Sequence, residues 1–210
     1  MLNDIFESCK FSDLLPDNIY IVGFGHSLHG EMVHVPRDGF QVVLNGAITQ
    51  KGINPDIWLV ADEVALKCEW FSRGLGLKTT RIFSENLEAN VCQEGGSSPY
   101  ADYTFKQGRE LTTDNPEPVW GYLRHNGTVF AQALQLAFFA GCRVIKCAGV
   151  PFWGNNHADG TLVPGKEPGM KWGHLGVVNA LLRYLRAQGS EIYTLGDTAL
   201  DMEVYSYERA

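Results

Sequence analysis

Residues Asn126 to Asp159 read NGTVFAQALQLAFFAGCRVIKCAGVPFWGNNHAD, and this stretch decides the fold. Phe130, Leu134 and Phe138 recur at every fourth position, Leu136 and Phe139 widen the apolar face, and alanines fill the spaces between them. That is the pattern of a buried helix. Gly141 stands where a helix ends in a left-handed residue, and RVIKCA from Arg143 to Ala148 then reads as a short buried strand. A helix returning into a strand is half of a βαβ unit. In open α/β sheets ligands sit beyond the carboxyl ends of the strands, so the loop from Gly149 to Asp159 is expected to face a site.

The same reading extends along the chain. Strands are predicted over 19–24, 41–45, 57–61, 79–83 and 191–195, and helices over 63–75 and about 174–188. The strands are almost continuously apolar, as suits a parallel sheet covered on both faces. An opening segment with Ile5, Phe6, Phe11, Leu14 and Leu15 is expected to pack on the flank. Between Ser84 and Val119 the pattern weakens and loop chemistry appears, so 84–119 reads as an insertion or lid, with Tyr100, Tyr103 and Phe105 in a small strand. Residues 165–173 form a second candidate mobile segment. The expectation is one α/β domain over residues 1–210, with a mostly parallel sheet and helices on both faces.

Composition narrows the function. A net charge of −7 argues against a general nucleic-acid binder, although a local cationic pocket for phosphate remains compatible with it. No apolar run is long enough to span a bilayer, and Asp4 and Glu7 stand where a signal peptide would be basic and then apolar. The five cysteines form no C-x-x-C pair and leave an odd one over. They read as reduced thiols in a cytoplasmic protein.

Several loops carry possible chemistry. GFGHSLHG from Gly23 to Gly30 follows a strand, where backbone amides cradle phosphate or simply make a tight turn. Ser27 adds a hydroxyl. Leu28 occupies the third glycine position of the dinucleotide fingerprint, so a standard NAD site is not expected, and no Walker A lysine exists. Asn45 closes the second strand before Gly46; it either meets a base or ribose or makes an Asn-Gly turn. Asp62 ends the third strand, either to hold a ribose hydroxyl or a cation or to cap a helix. His26, His29 and His34 match no zinc spacing, and no metal site is assigned. His157 and Asp159 share a loop as an acid/base pair, as substrate ligands, or as solvated groups. His174 precedes the last long helix, and histidine is a residue type suited to a general base or acid; the alternative is an ordinary helix N-terminal position. Trp153 and Trp172 flank these histidines, and Lys166 and Lys171 lie nearby for phosphate or for solvent.

Taken in order, these motifs resemble a known family. Gly23 to Leu28 (GFGHSL) is similar to the G-x-G-P-S-L loop of the motility-associated-factor and archaeal 6-hydroxymethylpterin pyrophosphokinase-like family. NGA from Asn45, GINPD from Gly52 and VAD ending at Asp62 resemble its next elements. Gly127-Thr-Val129 followed by AQALQLA resembles its G-x-V…A-L-Q-L-A helix. A more distant resemblance is to bacterial sialyltransferases with a Rossmann-like nucleotide domain, which share the glycine loop, the asparagine and a histidine before the last helix. His26 replaces the proline of the loop, and Pro151 stands where the family usually has an aspartate after Gly-Val.

The resemblance implies a Rossmann-like fold and a nucleotide- or nucleotide-sugar-dependent transferase, with glycosyl transfer at a sialyltransferase-like site as the leading chemistry and a small-molecule or glycan acceptor. Gly23, Gly25, Ser27, Asn45, Asp62 and Gly127 would bind the nucleotide. His174 would deprotonate the acceptor, or His157 if His174 points away. The alternative enzyme is a pyrophosphokinase acting on a pterin-like alcohol, which would require Mg2+. The loss of the aspartate at Pro151 favours a third alternative, a nucleotide-binding module without chemistry.

Overall fold

The computed structural model describes residues 3–8, 10–95, 100–125, 128–154, 157–161 and 173–206. Two short helices, α1 (Ile5–Ser8) and α2 (Phe11–Leu14), lead into β1 (Asn18–Val22), after which comes α3 (Leu28–Glu31). Then come β2 (Gln41–Leu44), β3 (Ile57–Val60), α4 (Glu69–Leu75), β4 (Thr80–Ser84), α5 (Glu85–Gly95) and β5 (Tyr103–Phe105). A two-stranded pair, β6 (Gln107–Gly108) and β7 (Leu123–Arg124), precedes α6 (Val129–Phe139) and β8 (Val144–Ala148). Helix α7 (Leu175–Ala187), β9 (Glu191–Thr194) and β10 (Glu203–Val204) complete the described chain.

Eight strands form one sheet in the order β10-β9-β8-β1-β2-β3-β4-β5, and their pairings are parallel. The chain moves outward from β1 to β5, then returns to the other side of β1 with β8. The strand order therefore reverses between β1 and β8, the position at which such sheets open a crevice. This is the Rossmann-like α/β arrangement expected from the apolar strands.

The strands bury alternate residues on the two faces, as a pleat of period two requires. Ile19, Ile21, Val42, Leu44, Ile57 and Leu59 join the core beneath α6 and α7. Tyr20, Val22, Val43, Trp58, Val60 and Phe83 join the other, with Phe71 of α4 and Leu87 and Val91 of α5. Helix α6 starts at Thr128, whose hydroxyl accepts the Phe130 amide as an N-cap. It stops before Gly141, which takes φ 78°.

Two elements differ from the sequence reading. The helix predicted over 63–75 is broken: a 3-10 turn covers Glu63–Lys67, Cys68 is extended, and α4 follows. On one continuous helix Ala65 and Phe71 would face directions about 120° apart at about 100° per residue; with the break both are buried on the same core. Helix α5 occupies part of the segment whose pattern was weak. Its Glu88 is fully buried and accepts the amides of Tyr100 and Ala101, leading the chain into β5. Tyr103 and Phe105 do lie in a strand, and Asn3 and Asp4 cover its outer edge.

Arg124 organises the region between β5 and α6. It is 4% exposed, and its guanidinium donates to the carbonyls of Arg109, Glu110, Asn115 and Glu117 and to the Asn115 side chain. Gln135 of α6 grips the same residue by its backbone, accepting from Arg124 N at 2.9 Å and donating to its carbonyl at 2.7 Å. Arg124→Met would remove the guanidinium donors from those carbonyls. Hydrogen bonds to a charged group are worth roughly 1.5–3 kcal/mol each, so chemical denaturation should register a loss of about 3 kcal/mol or more. A loss below about 1 kcal/mol would show that the loop does not depend on this residue.

Candidate functional site

The carboxyl ends of β8, β1, β2 and β3 surround a cleft of about 350 Å³. Its wall at the strand-order reversal is built from two backbones pressed together. Gly23 N donates to Ala148 O and Gly25 N to Gly149 O, both at 2.8 Å. A Cβ on Gly23 would lie 2.5 Å from Gly149 O, and one on Gly25 would collide with the Pro151 ring. Gly149 itself has φ 65° and lies against Gly23 O. The buried carboxylate of Glu31 accepts the Gly149 amide at 2.7 Å from behind.

The glycines therefore allow a close approach of backbones. The amides of Gly23 and Gly25, expected to cradle phosphate, are already bonded to the segment after β8. The polar groups that this wall leaves unpartnered are side-chain oxygens. Asn45 Oδ1 and Ser27 Oγ are buried and have no hydrogen-bond partner among the described residues. Asn45 lines the cleft with φ 47°, a left-handed conformation that asparagine tolerates better than most residues. Its carbonyl accepts the Trp58 indole N–H at 3.0 Å, and the adjacent Gly46 packs under the Phe24 ring. The Asn-Gly turn and a place in the cleft lining thus coexist.

Asp62 stands at the opposite rim. It occupies the capping position before the 3-10 turn, yet its side chain makes no capping bond. Desolvation raises its carboxyl above the ordinary range, with the His125 charge opposing. Because the residue remains open to solvent at the rim, that shift is screened.

His157 lines the end of the cleft nearest β1. Its ring stacks on Phe24, with centroids 5.0 Å apart and planes within 14°, and Gly25 and His157 form an antiparallel bridge. Desolvation pushes the imidazole below its usual range, against opposing contributions from the Phe24 backbone and Asp159. Burial disfavours the Asp159 carboxylate, but the hydroxyl and amide of Thr161, together with His157, hold it below the usual carboxylate range.

Five expected site residues, Gly23, Gly25, Asn45, Asp62 and His157, come together around this cleft. Ser27 is the residue before α3 and is not among the described residues lining the cleft. His174 sits at the capping position of α7 and is not among the described residues lining the cleft. Gly127, Lys166, Lys171 and Trp172 lie outside the described residues. His26 packs edge-on to Trp153 at 4.6 Å, and His29 Nε2 pairs with Ala158 O at 2.8 Å. No cluster of metal-ligating side chains occurs among the described residues, and Asp62 is the only carboxylate among the described cleft residues.

The sequence reading missed the cleft's aromatic floor. Phe24, Trp70, Phe130 and Phe152 all line it. Phe152 is 2% exposed at φ 56°, with its ring 5.6 Å from that of Phe130. A left-handed bulky residue is unusual and costs of order 1–3 kcal/mol; no sequence pattern announces it. Glu31 was also missed, because its partner Gly149 is distant in the chain.

Fold and site together define a Rossmann-like α/β domain with a ligand-sized cleft at the strand-order reversal. In fold the chain resembles a MAf glycosyltransferase from Magnetospirillum magneticum AMB-1, with a TM-score of 0.63 and 16% identity over 93% of this chain. The chain spans 34% of that protein's length. Two structures of the sialyltransferase CstII from Campylobacter jejuni overlay with TM-scores of 0.48 and 0.49. One, in complex with cytidine-5'-monophosphate, covers 85% of this chain and 79% of its own at 12% identity. The other, in complex with CMP-3FNeuAc, covers 90% and 88% at 13% identity. No protein-family model and no curated protein sequence matches the chain. No helix among the described residues is long and apolar enough to cross a membrane.

The depressed His157 pKa links stability to pH. A histidine neutral in the fold contributes stability that is present above its unfolded pKa of about 6.5 and is lost as pH falls. Urea midpoints measured between about pH 7 and pH 5 should therefore fall more in the wild type than in His157→Phe. Equal slopes would show that His157 is not held neutral by the fold.

Proposed function

We propose that the cleft binds a nucleotide or nucleotide-sugar donor and that the protein transfers the glycosyl group to an acceptor hydroxyl. The observation that carries this reading is the cleft of about 350 Å³ at the carboxyl ends of the strands, where Asn45, Asp62 and His157 stand among aromatic rings. The cleft also has the usual construction of a small-molecule site, an apolar and aromatic lining with few polar groups. The likeness in fold to a glycosyltransferase supports transfer as the chemistry.

The two titratable groups sit in different environments, and that divides their roles. A carboxyl raised in pKa is a stronger base, whereas an imidazole lowered in pKa is a weaker one. Asp62, at the solvent-facing rim, takes the proton from the acceptor hydroxyl. The acceptor oxygen then bonds to the anomeric carbon of the donor, and the bond from that carbon to the phosphate oxygen breaks. The nucleotide leaves with the electron pair. His157, neutral and stacked on Phe24, offers its ring N–H to the bound donor.

Thermal shift with CMP, UMP, GMP and AMP tests the binding half: at least one should stabilise the wild type, and Asn45→Ala should reduce that effect. General-base help contributes about 10²–10⁴-fold, so Asp62→Asn should lower turnover by roughly that factor with nucleotide affinity retained. Turnover should fall on acidification at a pH above the ordinary carboxylate range. If none of the nucleotides binds, the reading fails. Nucleotide binding without turnover of any nucleotide sugar would leave a binding module. A far larger loss in His174→Ala than in Asp62→Asn would give the base role to His174.

A further inference from the structure

A second cavity, of about 310 Å³, opens beside the first and shares Asp62 and Val64 with it. Its other lining residues are Ala61, Glu63, Asn86 and Gln107. Their places in the fold explain why it exists. Ala61 to Val64 follow β3, Asn86 is in the first turn of α5 just after β4, and Gln107 follows β5. The first cleft occupies the carboxyl ends of β8, β1, β2 and β3. The second continues the same row over β3, β4 and β5, with Asp62 on the wall between them.

The linings are chemically different. Aromatic rings floor the first cavity, whereas the second presents two carboxylates and two carboxamides, with Ala61 and Val64 as its apolar part. Carboxylates only accept hydrogen bonds, and carboxamides both donate and accept. A neutral polyhydroxylated molecule matches that mixture, because each hydroxyl also donates and accepts. An anionic group would meet Asp62 and Glu63 without a lysine or arginine among the described lining residues. Asn86, Gln107 and Glu63 are exposed, so the cavity is open to a ligand arriving from solvent.

We propose that this second cavity is the acceptor subsite and that it takes a neutral sugar residue through Asn86, Gln107 and the Asp62–Glu63 pair. The proposal rests on the reading of the first cleft as the donor site. It places the acceptor hydroxyl at the border that the two cavities share, beside Asp62 and facing the donor's anomeric carbon.

Galactose, N-acetylgalactosamine and N-acetylglucosamine serve as probes, titrated by saturation-transfer NMR against wild type, Asn45→Ala and an Asn86→Ala/Gln107→Ala double variant. At least one sugar should bind the wild type. The double variant, which removes two exposed hydrogen-bonding groups, should bind it about tenfold more weakly or worse. Asn45→Ala should bind it as the wild type does. Thermal unfolding of the double variant should match the wild type, because neither side chain is buried. Absence of binding by all three sugars, or equal binding to the double variant, would overturn the proposal. Nucleotide stabilisation measured on the same proteins separates the two readings: if it is present while sugar binding is absent, only the acceptor subsite fails. If no nucleotide stabilises the wild type, the donor reading fails whatever the sugars do.

Discussion

The site depends on the contact of two peptide segments at the middle of the sheet. Gly23 and Gly149 follow adjacent parallel strands, and their backbones meet at a distance that a Cβ on either would prevent. Hydrogen bonds from Gly23 and Gly25 fasten that contact, and Glu31 holds the Gly149 amide from the opposite face. A doubly wound sheet usually opens where its strand order reverses. Here the loops at that point are fastened to each other and form one wall of the cleft, which extends along the row of strand ends toward Asp62. The same contact sets Pro151 against Gly25, so the proline has a packing role at this wall.

That construction explains how the cleft is polarised. With two loop amides committed to the wall, the polar groups left to a ligand are chiefly side chains: Asn45, Asp62 and His157. Their surroundings push the carboxyl and the imidazole in opposite directions from their ordinary pKa values. Burial is the leading cause of both shifts, because it disfavours the charged form whichever sign the charge has. A carboxylate of raised basicity and an uncharged imidazole at two ends of one cleft is an arrangement that proton transfer uses.

Much of this was legible in the sequence. The four-residue spacing from Phe130 to Phe138 and the glycine stop gave α6, and the apolar runs gave the parallel strands, because those signals depend on neighbours close in the chain. Gly23, Gly25, Asn45, Asp62 and His157 were readable as strand-end residues for the same reason. What failed were features set by distant partners. The break at Cys68 arises because Ala65 and Phe71 must reach the same core. Helix α5 was obscured because little more than Leu87 and Val91 marks its buried face. Arg124 and Glu31 look like ordinary surface charges until the residues they hold are known. The amide cradle expected at Gly23 and Gly25 is replaced by backbone-to-backbone bonding, which requires knowing that β8 lies beside β1.

The most direct measurement is backbone amide NMR of the protein titrated with a nucleotide that stabilises it. A ligand held at the ends of β8, β1, β2 and β3 should shift the amides of Phe24, Asn45, Asp62 and His157, and leave those of α5 and β10 in place. Shifts gathered on any other surface, with those four amides unmoved, would contradict the account of the cleft as the donor site.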